Sequence, residues 1–130
     1  MRSIKKILLV GYGSVGRRHL ENIISLVPDA DLMVLRKFGL EVDIDNCRVV
    51  HNLSEAVSFN PDLALICNPA SEHLAVALEL VSANTHLFIE KPLSVDTEGI
   101  TELLARLEFC GIKAMVAYNL RFCESLLFFK

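Results

Sequence analysis

The stretch "GYGSVGRRHL" (residues 11–20) sets glycines at 11, 13 and 16 directly behind the apolar run "KILLV". A G-x-G-x-x-G that leaves a strand and opens a helix can cradle a pyrophosphate. Gly11 would permit the tight turn, Gly13 the approach of backbone to phosphate, and Gly16 close packing of helix on strand. The helix start adds unsatisfied N–H groups and a partial positive charge. The whole turn, Tyr12, Ser14 and Val15 included, is therefore read as cofactor-binding. Arg17, Arg18 and His19 follow in the first helical turn, where they either reach a phosphate or belong to a solvated face.

Three further groups of residues could do chemistry. About 20 residues past Gly16, where a dinucleotide fold places Asp or Glu against the ribose 2′-hydroxyl, stand Arg36 and Lys37. Two cations there suit a 2′-phosphate and point to NADP over NAD; the other reading is a pair of solvated surface charges. In "ICNPASEH", Asn68 and Pro69 come just past a strand, with His73 in the next helix. An amide can bond a ribose or a phosphate, although an ordinary turn has the same composition. In "FIEKPLS", Glu90 and Lys91 emerge at a strand end, beside a proline able to hold the Lys–Pro bond in an unusual geometry. A lysine there, if partly buried, can give and take a proton; the alternative is a surface Glu–Lys pair.

The elements that must position these groups alternate. "KILLV", "DLMVLR", "CRVVHN", "DLALIC", "HLFIE" and "IKAMVAY" read as strands. Between them, apolar residues at helical spacing predict helices over 14–27, 53–59, from about 71, and over 96–109. Leu74, Leu78 and Val81 form the expected core stripe of the third helix, and Ile100, Leu103, Leu104 and Leu107 that of the fourth. Gly111 is placed to end the fourth helix in a left-handed conformation, and "CESLLFF" starts one more. This alternation implies a doubly wound, mainly parallel sheet with helices on both faces, an α/β/α Rossmann fold. Ligands of such sheets bind beyond the carboxyl ends of the strands, where the polar turns gather.

Composition excludes other classes. With 130 residues, 52% hydrophobic and 22% charged, the chain is one domain able to bury a core. A net charge of −3 gives no basis for nucleic-acid binding. The apolar runs fall well short of the roughly 20 residues that span a bilayer, and the basic start "MRSIKK" leads into the glycine turn without a cleavage site. Cys47, Cys67, Cys110 and Cys123 form no C-x-x-C pair. They read as small, mostly buried thiols of a reducing, cytoplasmic compartment, with no metal site.

Together "GYGSVGRRHL", "NPASEHLAVALEL", "EKPLS" and "YNLRF", in this order, resemble the nucleotide-binding domain of the glucose–fructose oxidoreductase/inositol dehydrogenase (Gfo/Idh/MocA) family over about residues 5–125. The resemblance implies an NAD(P)-dependent oxidoreductase that moves hydride between nicotinamide and a sugar- or polyol-like hydroxyl, with Lys91 as proton donor and acceptor. It implies that Asn68, Pro69 and His73 form the cofactor edge, and that Asn119 and Arg121 face nicotinamide and substrate. Family members resemble one another in a second α/β domain after "NLRF", whereas this sequence stops at Lys130. A single dinucleotide-binding domain over residues 1–130 is thus expected, binding cofactor without useful turnover. Its apolar end, Leu126, Leu127, Phe128 and Phe129, is expected to drive homo-oligomerisation or to meet a partner chain supplying the missing domain. The alternative is a non-catalytic NADP-binding module, sensor or remnant subunit. Asn84 stands where the family often has Gly, and Asn tolerates the left-handed conformation.

Overall fold

A computed structural model of the chain describes residues 3–37, 39 and 42–128. The strands β1 (Lys6–Val10), β2 (Asp31–Leu35), β3 (Cys47–Val50), β4 (Leu63–Ile66), β5 (His86–Ile89) and β6 (Ala114–Val116) form one sheet, ordered β3-β2-β1-β4-β5-β6. Each pairing is parallel. The central strands are continuous apolar runs because both of their faces are covered.

Side chains alternate across a strand, and here the two sets meet different helices. Leu8, Val10, Met33, Leu35, Ala64, Ile66, Leu87 and Ile89 pack with α2 (Leu53–Ser58), α3 (Ala70–Ser82) and α4 (Ile100–Cys110). Ile7, Leu9, Leu32, Val34 and Leu65 pack with α1 (Ser14–Leu26). The three layers are unequal: α1 is the only helix of the second face among the described residues, and Met115 on β6 is left exposed.

Several local expectations need correction. The core face of α3 is His73, Val76, Ala77, Leu80 and Val81, with Leu74 and Leu78 flanking it. Val81 lies on the core face as expected, and Leu74 and Leu78 pack against its margins. α4 begins at Ile100 rather than 96, because Asp96 turns its carboxylate onto the Glu98 N–H at 3.0 Å; such local side-chain bonds compete with a helix. Leu104 lies on the exposed side of α4. Gly111 (φ 66) and Asn84 (φ 59) take the left-handed conformations expected of them. After β6 come a 3-10 turn, Asn119–Phe122, and a single helical turn, α5 (Glu124–Leu127). Leu126, Leu127 and Phe128 are exposed, while Phe129 lies outside the described residues. All four cysteines are free thiols, half-buried rather than fully so. No helix among the described residues is long and apolar enough to cross a membrane.

Candidate functional site

A parallel sheet brings the carboxyl ends of its strands to one edge. The strand order reverses between β1 and β4, so a crevice opens there. Backbone bonds extend the ladder past the strand ends and register the turns: Gly11 N–H to Leu35 O at 2.9 Å, Cys67 N–H to Val10 O at 2.8 Å, and Glu90 N–H to Ile66 O at 2.9 Å. Gly11 has φ +92, and a Cβ on it would lie 2.7 Å from the Asn68 nitrogen. The turn after β1 is thus pressed against the turn after β4. A Cβ on Gly16 would overlap the Gly11 carbonyl oxygen, which closes the turn onto α1. Gly13 differs: it is exposed, and a Cβ there would meet nothing within 4 Å. No side chain caps the start of α1 and no acid occupies its first turn. Open space beside uncapped N–H groups fits a phosphate. Tyr12 is half-buried under the Arg17 guanidinium, 5.2 Å from its ring centre, while Ser14 and Val15 are exposed.

The turns after β2 and β4 are joined by a residue that the sequence reading missed. Glu72, in the first turn of α3, accepts from Lys37 Nζ at 3.2 Å and from Asn68 Nδ2 at 3.1 Å. The Lys37 ammonium, and then the Asn68 amide, hold its carboxyl below the usual carboxylate range. Asn68 and Glu72 are four residues apart, a spacing that brings side chains together on a helix start and was the available signal. Asn68 Oδ1 is buried with no hydrogen-bond partner among the described residues. Pro69 is exposed and introduces α3. Arg36 stands at the end of β2, its guanidinium folded against the backbone of Gly39.

His73 supports the site from beneath. It is 2% exposed, and its ring nitrogens lie 2.8 Å from the carbonyl oxygens of Asn68 and Pro92. Its contribution is through the two turns that it ties together rather than at the surface of the edge. His73→Leu would remove the ring N–H and with it the polar tie between the two turns. That substitution is expected to cost about 2–4 kcal/mol, lowering the thermal midpoint by roughly 10 °C. Thermal unfolding of the two proteins checks it, and an unchanged midpoint would contradict the strapping role.

Glu90 is also occupied. Its Oε1 lies 2.7 Å from His19 Nε2, and the His19 ring meets Phe88 edge-on with centroids 5.4 Å apart. His19 therefore pairs across to the end of β5, an outcome outside the two read from the sequence. Burial, and secondarily the Glu90 charge, push the nearby Cys67 thiol up to about 12, so it is a neutral thiol at physiological pH. The Lys91–Pro92 peptide is cis, and the Lys91 N–H reaches Glu90 Oε2 at 3.3 Å. The Lys91 side chain is exposed, so the described residues do not supply the partial burial anticipated for it. Asn119 and Arg121 are exposed at the same edge beyond β6, with the Arg121 guanidinium 5.4 Å from the ring centre of Phe122.

A parallel sheet in this order, with a glycine turn at its switch point leaving room for a phosphate, defines a dinucleotide-binding Rossmann domain. The chain belongs to the Gfo/Idh/MocA oxidoreductase family with an NAD-binding Rossmann fold, whose profile matches residues 5–118. The uncharacterized oxidoreductase YrbE of Bacillus subtilis is 28% identical over 121 residues, covering 88% of this chain and 35% of that protein. Myo-inositol 2-dehydrogenase of Thermotoga maritima is 25% identical over 126 residues, covering 90% of this chain and 37% of its own length. Among solved structures, scyllo-inositol dehydrogenase from Lactobacillus casei, with NAD(H) and scyllo-inositol bound, shares the fold with a TM-score of 0.85 at 24% identity. That match covers 97% of this chain and 39% of the other. The chain spans only 35–37% of the length of these curated relatives.

Proposed function

We propose that this chain is the dinucleotide-binding domain of an oxidoreductase that exchanges hydride with a sugar- or polyol-like hydroxyl. One observation carries the reading: the glycine turn, the Asn68 turn and the Glu90–Lys91 turn converge at the carboxyl ends of β1, β4 and β5, around the switch point. The substrate class is taken from relatives that are inositol dehydrogenases. The nicotinamide ring, when bound, supplies the hydride exchange. Lys91 takes the hydroxyl proton during oxidation and returns it during reduction. Gly11 to Gly16 hold the pyrophosphate, Asn68 bonds the ribose side, and Glu90 and His73 hold the Lys91 turn in place. Asn119 and Arg121 orient the substrate. Arg36 and Lys37 favour NADP by matching a 2′-phosphate in charge.

Hydride transfer needs a shielded site, and Lys91 is exposed here. A substrate-covering domain, on this polypeptide or a partner chain, completes the enzyme. The domain by itself binds cofactor without sustained turnover. The exposed Leu126, Leu127 and Phe128 support self-association, which light scattering tests: a clean monomer would remove it. Four free cysteines support a reducing, cytoplasmic setting.

Titration with NADP and NAD, followed by the thermal midpoint, tests the binding reading. Ligand at a hundredfold excess over Kd adds about 2.7 kcal/mol, a rise of roughly 5–15 °C, expected to come at lower concentration with NADP. No rise with either dinucleotide would overturn the reading. The exposure of Lys91, Asn119 and Arg121 favours one second reading, a non-catalytic dinucleotide-binding module. That reading predicts the same midpoint rise, with no polyol-dependent change in nicotinamide absorbance even when a substrate-covering domain is supplied.

A further inference from the structure

We propose that Glu72 sets how strongly this site separates NADP from NAD, by holding a carboxylate against Lys37 at the adenosine end of the crevice. The inference rests on the dinucleotide reading above. In dinucleotide folds, the end of β2 reads the 2′ position of the adenosine ribose. Here that end carries Arg36 and Lys37, and no acid follows on the strand itself. The acid arrives through space instead. β2 and β4 flank β1 on opposite sides, and Glu72, just beyond β4, reaches Lys37 at 3.2 Å. Its second oxygen is held by Asn68 at 3.1 Å, whose backbone lies against Gly11. A line of contacts, Lys37–Glu72–Asn68–Gly11, therefore runs from the ribose corner to the pyrophosphate turn.

This arrangement treats the two cofactors differently. A 2′-phosphate that approaches Lys37 must share it with a carboxylate of like charge. A 2′-hydroxyl brings no charge and has a proton to donate to that carboxylate. Glu72 thus restrains the preference that Arg36 and Lys37 would otherwise impose. Both partners of the pair are substantially exposed, 61% for Lys37 and 36% for Glu72, so the effect is moderate and sensitive to salt.

The test is the pair of dissociation constants for NADP and NAD, measured by titration of the thermal midpoint on the chain and on Glu72→Gln, Lys37→Met and the double variant. Glu72→Gln keeps an acceptor for Asn68 at a half-buried helix position with little change of shape, so folding is preserved. It is expected to move the affinity ratio toward NADP by about 3–10-fold. The shift should vanish in the Lys37→Met background and shrink in about 0.5 M salt. An unchanged ratio in Glu72→Gln, or an equal change with and without Lys37, overturns the inference while the dinucleotide reading stands. Failure of the unaltered chain to bind either dinucleotide overturns both.

Discussion

Replacement of Gly13 by valine is expected to leave the domain folded and to weaken dinucleotide binding by about 100-fold or more, the equivalent of roughly 2.7 kcal/mol. The backbone at Gly13 has φ −79 and ψ −167, an extended conformation open to any residue. A Cβ there would meet nothing within 4 Å. The cost to the fold is therefore confined to a poorer helix start, within about 1 kcal/mol. In the proposed dinucleotide site the same open space takes the pyrophosphate against the backbone, and the valine methyls would fill it. Gly11→Ala behaves differently. At φ +92, with the new Cβ 2.7 Å from the Asn68 nitrogen, it strains the backbone and separates two turns, costing about 2–4 kcal/mol. Only Gly13 separates binding from folding. Thermal midpoints with and without dinucleotide report both quantities, and undiminished binding by Gly13→Val would remove the phosphate from this turn.

What was legible in the sequence was mostly local. The strands announced themselves as apolar runs, and the glycine turn could be read because its neighbours on both sides fixed its context. The left-handed Gly111 and Asn84 followed from residue type alone. Pairings between distant residues were not legible. His19 and Glu90 are 71 positions apart and Lys37 and Glu72 are 35 apart, so only the fold could bring them together. The face of α3 was read in part: Val81 is buried as expected, but the face is centred on Val76, Ala77 and Leu80, with Leu74 and Leu78 at its margin. His73 looked like part of the cofactor edge because its segment follows β4 at the carboxyl edge of the sheet. Its burial under that segment depends on the turn carrying Pro92, which the sequence places 19 residues away.

These hidden pairings share a purpose that the visible motifs lack. His73 joins the turn after β4 to that after β5, and His19 joins α1 to the end of β5. Each fixes backbone that carries a candidate binding or proton-transfer group. A site held this way needs little rearrangement to accept its ligand. The exposed Lys91 side chain then stands on a braced turn, which frames the largest effect expected of any substitution here.

Lys91→Met is expected to lower polyol-dependent hydride exchange by about 10²–10⁴-fold, with the dinucleotide dissociation constant changed less than about threefold. The measurement is made with the proposed substrate-covering domain supplied, on the same polypeptide or by a partner chain, using nicotinamide absorbance for rate and titration for affinity. Methionine keeps the unbranched apolar stem of lysine, ending at the position of Cε, but cannot carry a proton. The Lys91 N–H still reaches Glu90, and His73 still holds the Pro92 carbonyl, so the turn stays in place. Lys91→Arg sharpens the test, because it keeps the positive charge on a group that does not deprotonate. If proton transfer is the role, arginine is as inactive as methionine. If charge alone matters, arginine rescues most of the rate and the proton assignment fails. Loss of dinucleotide affinity in both variants would instead make Lys91 a binding residue, and full activity in Lys91→Met would move the proton transfer to another group.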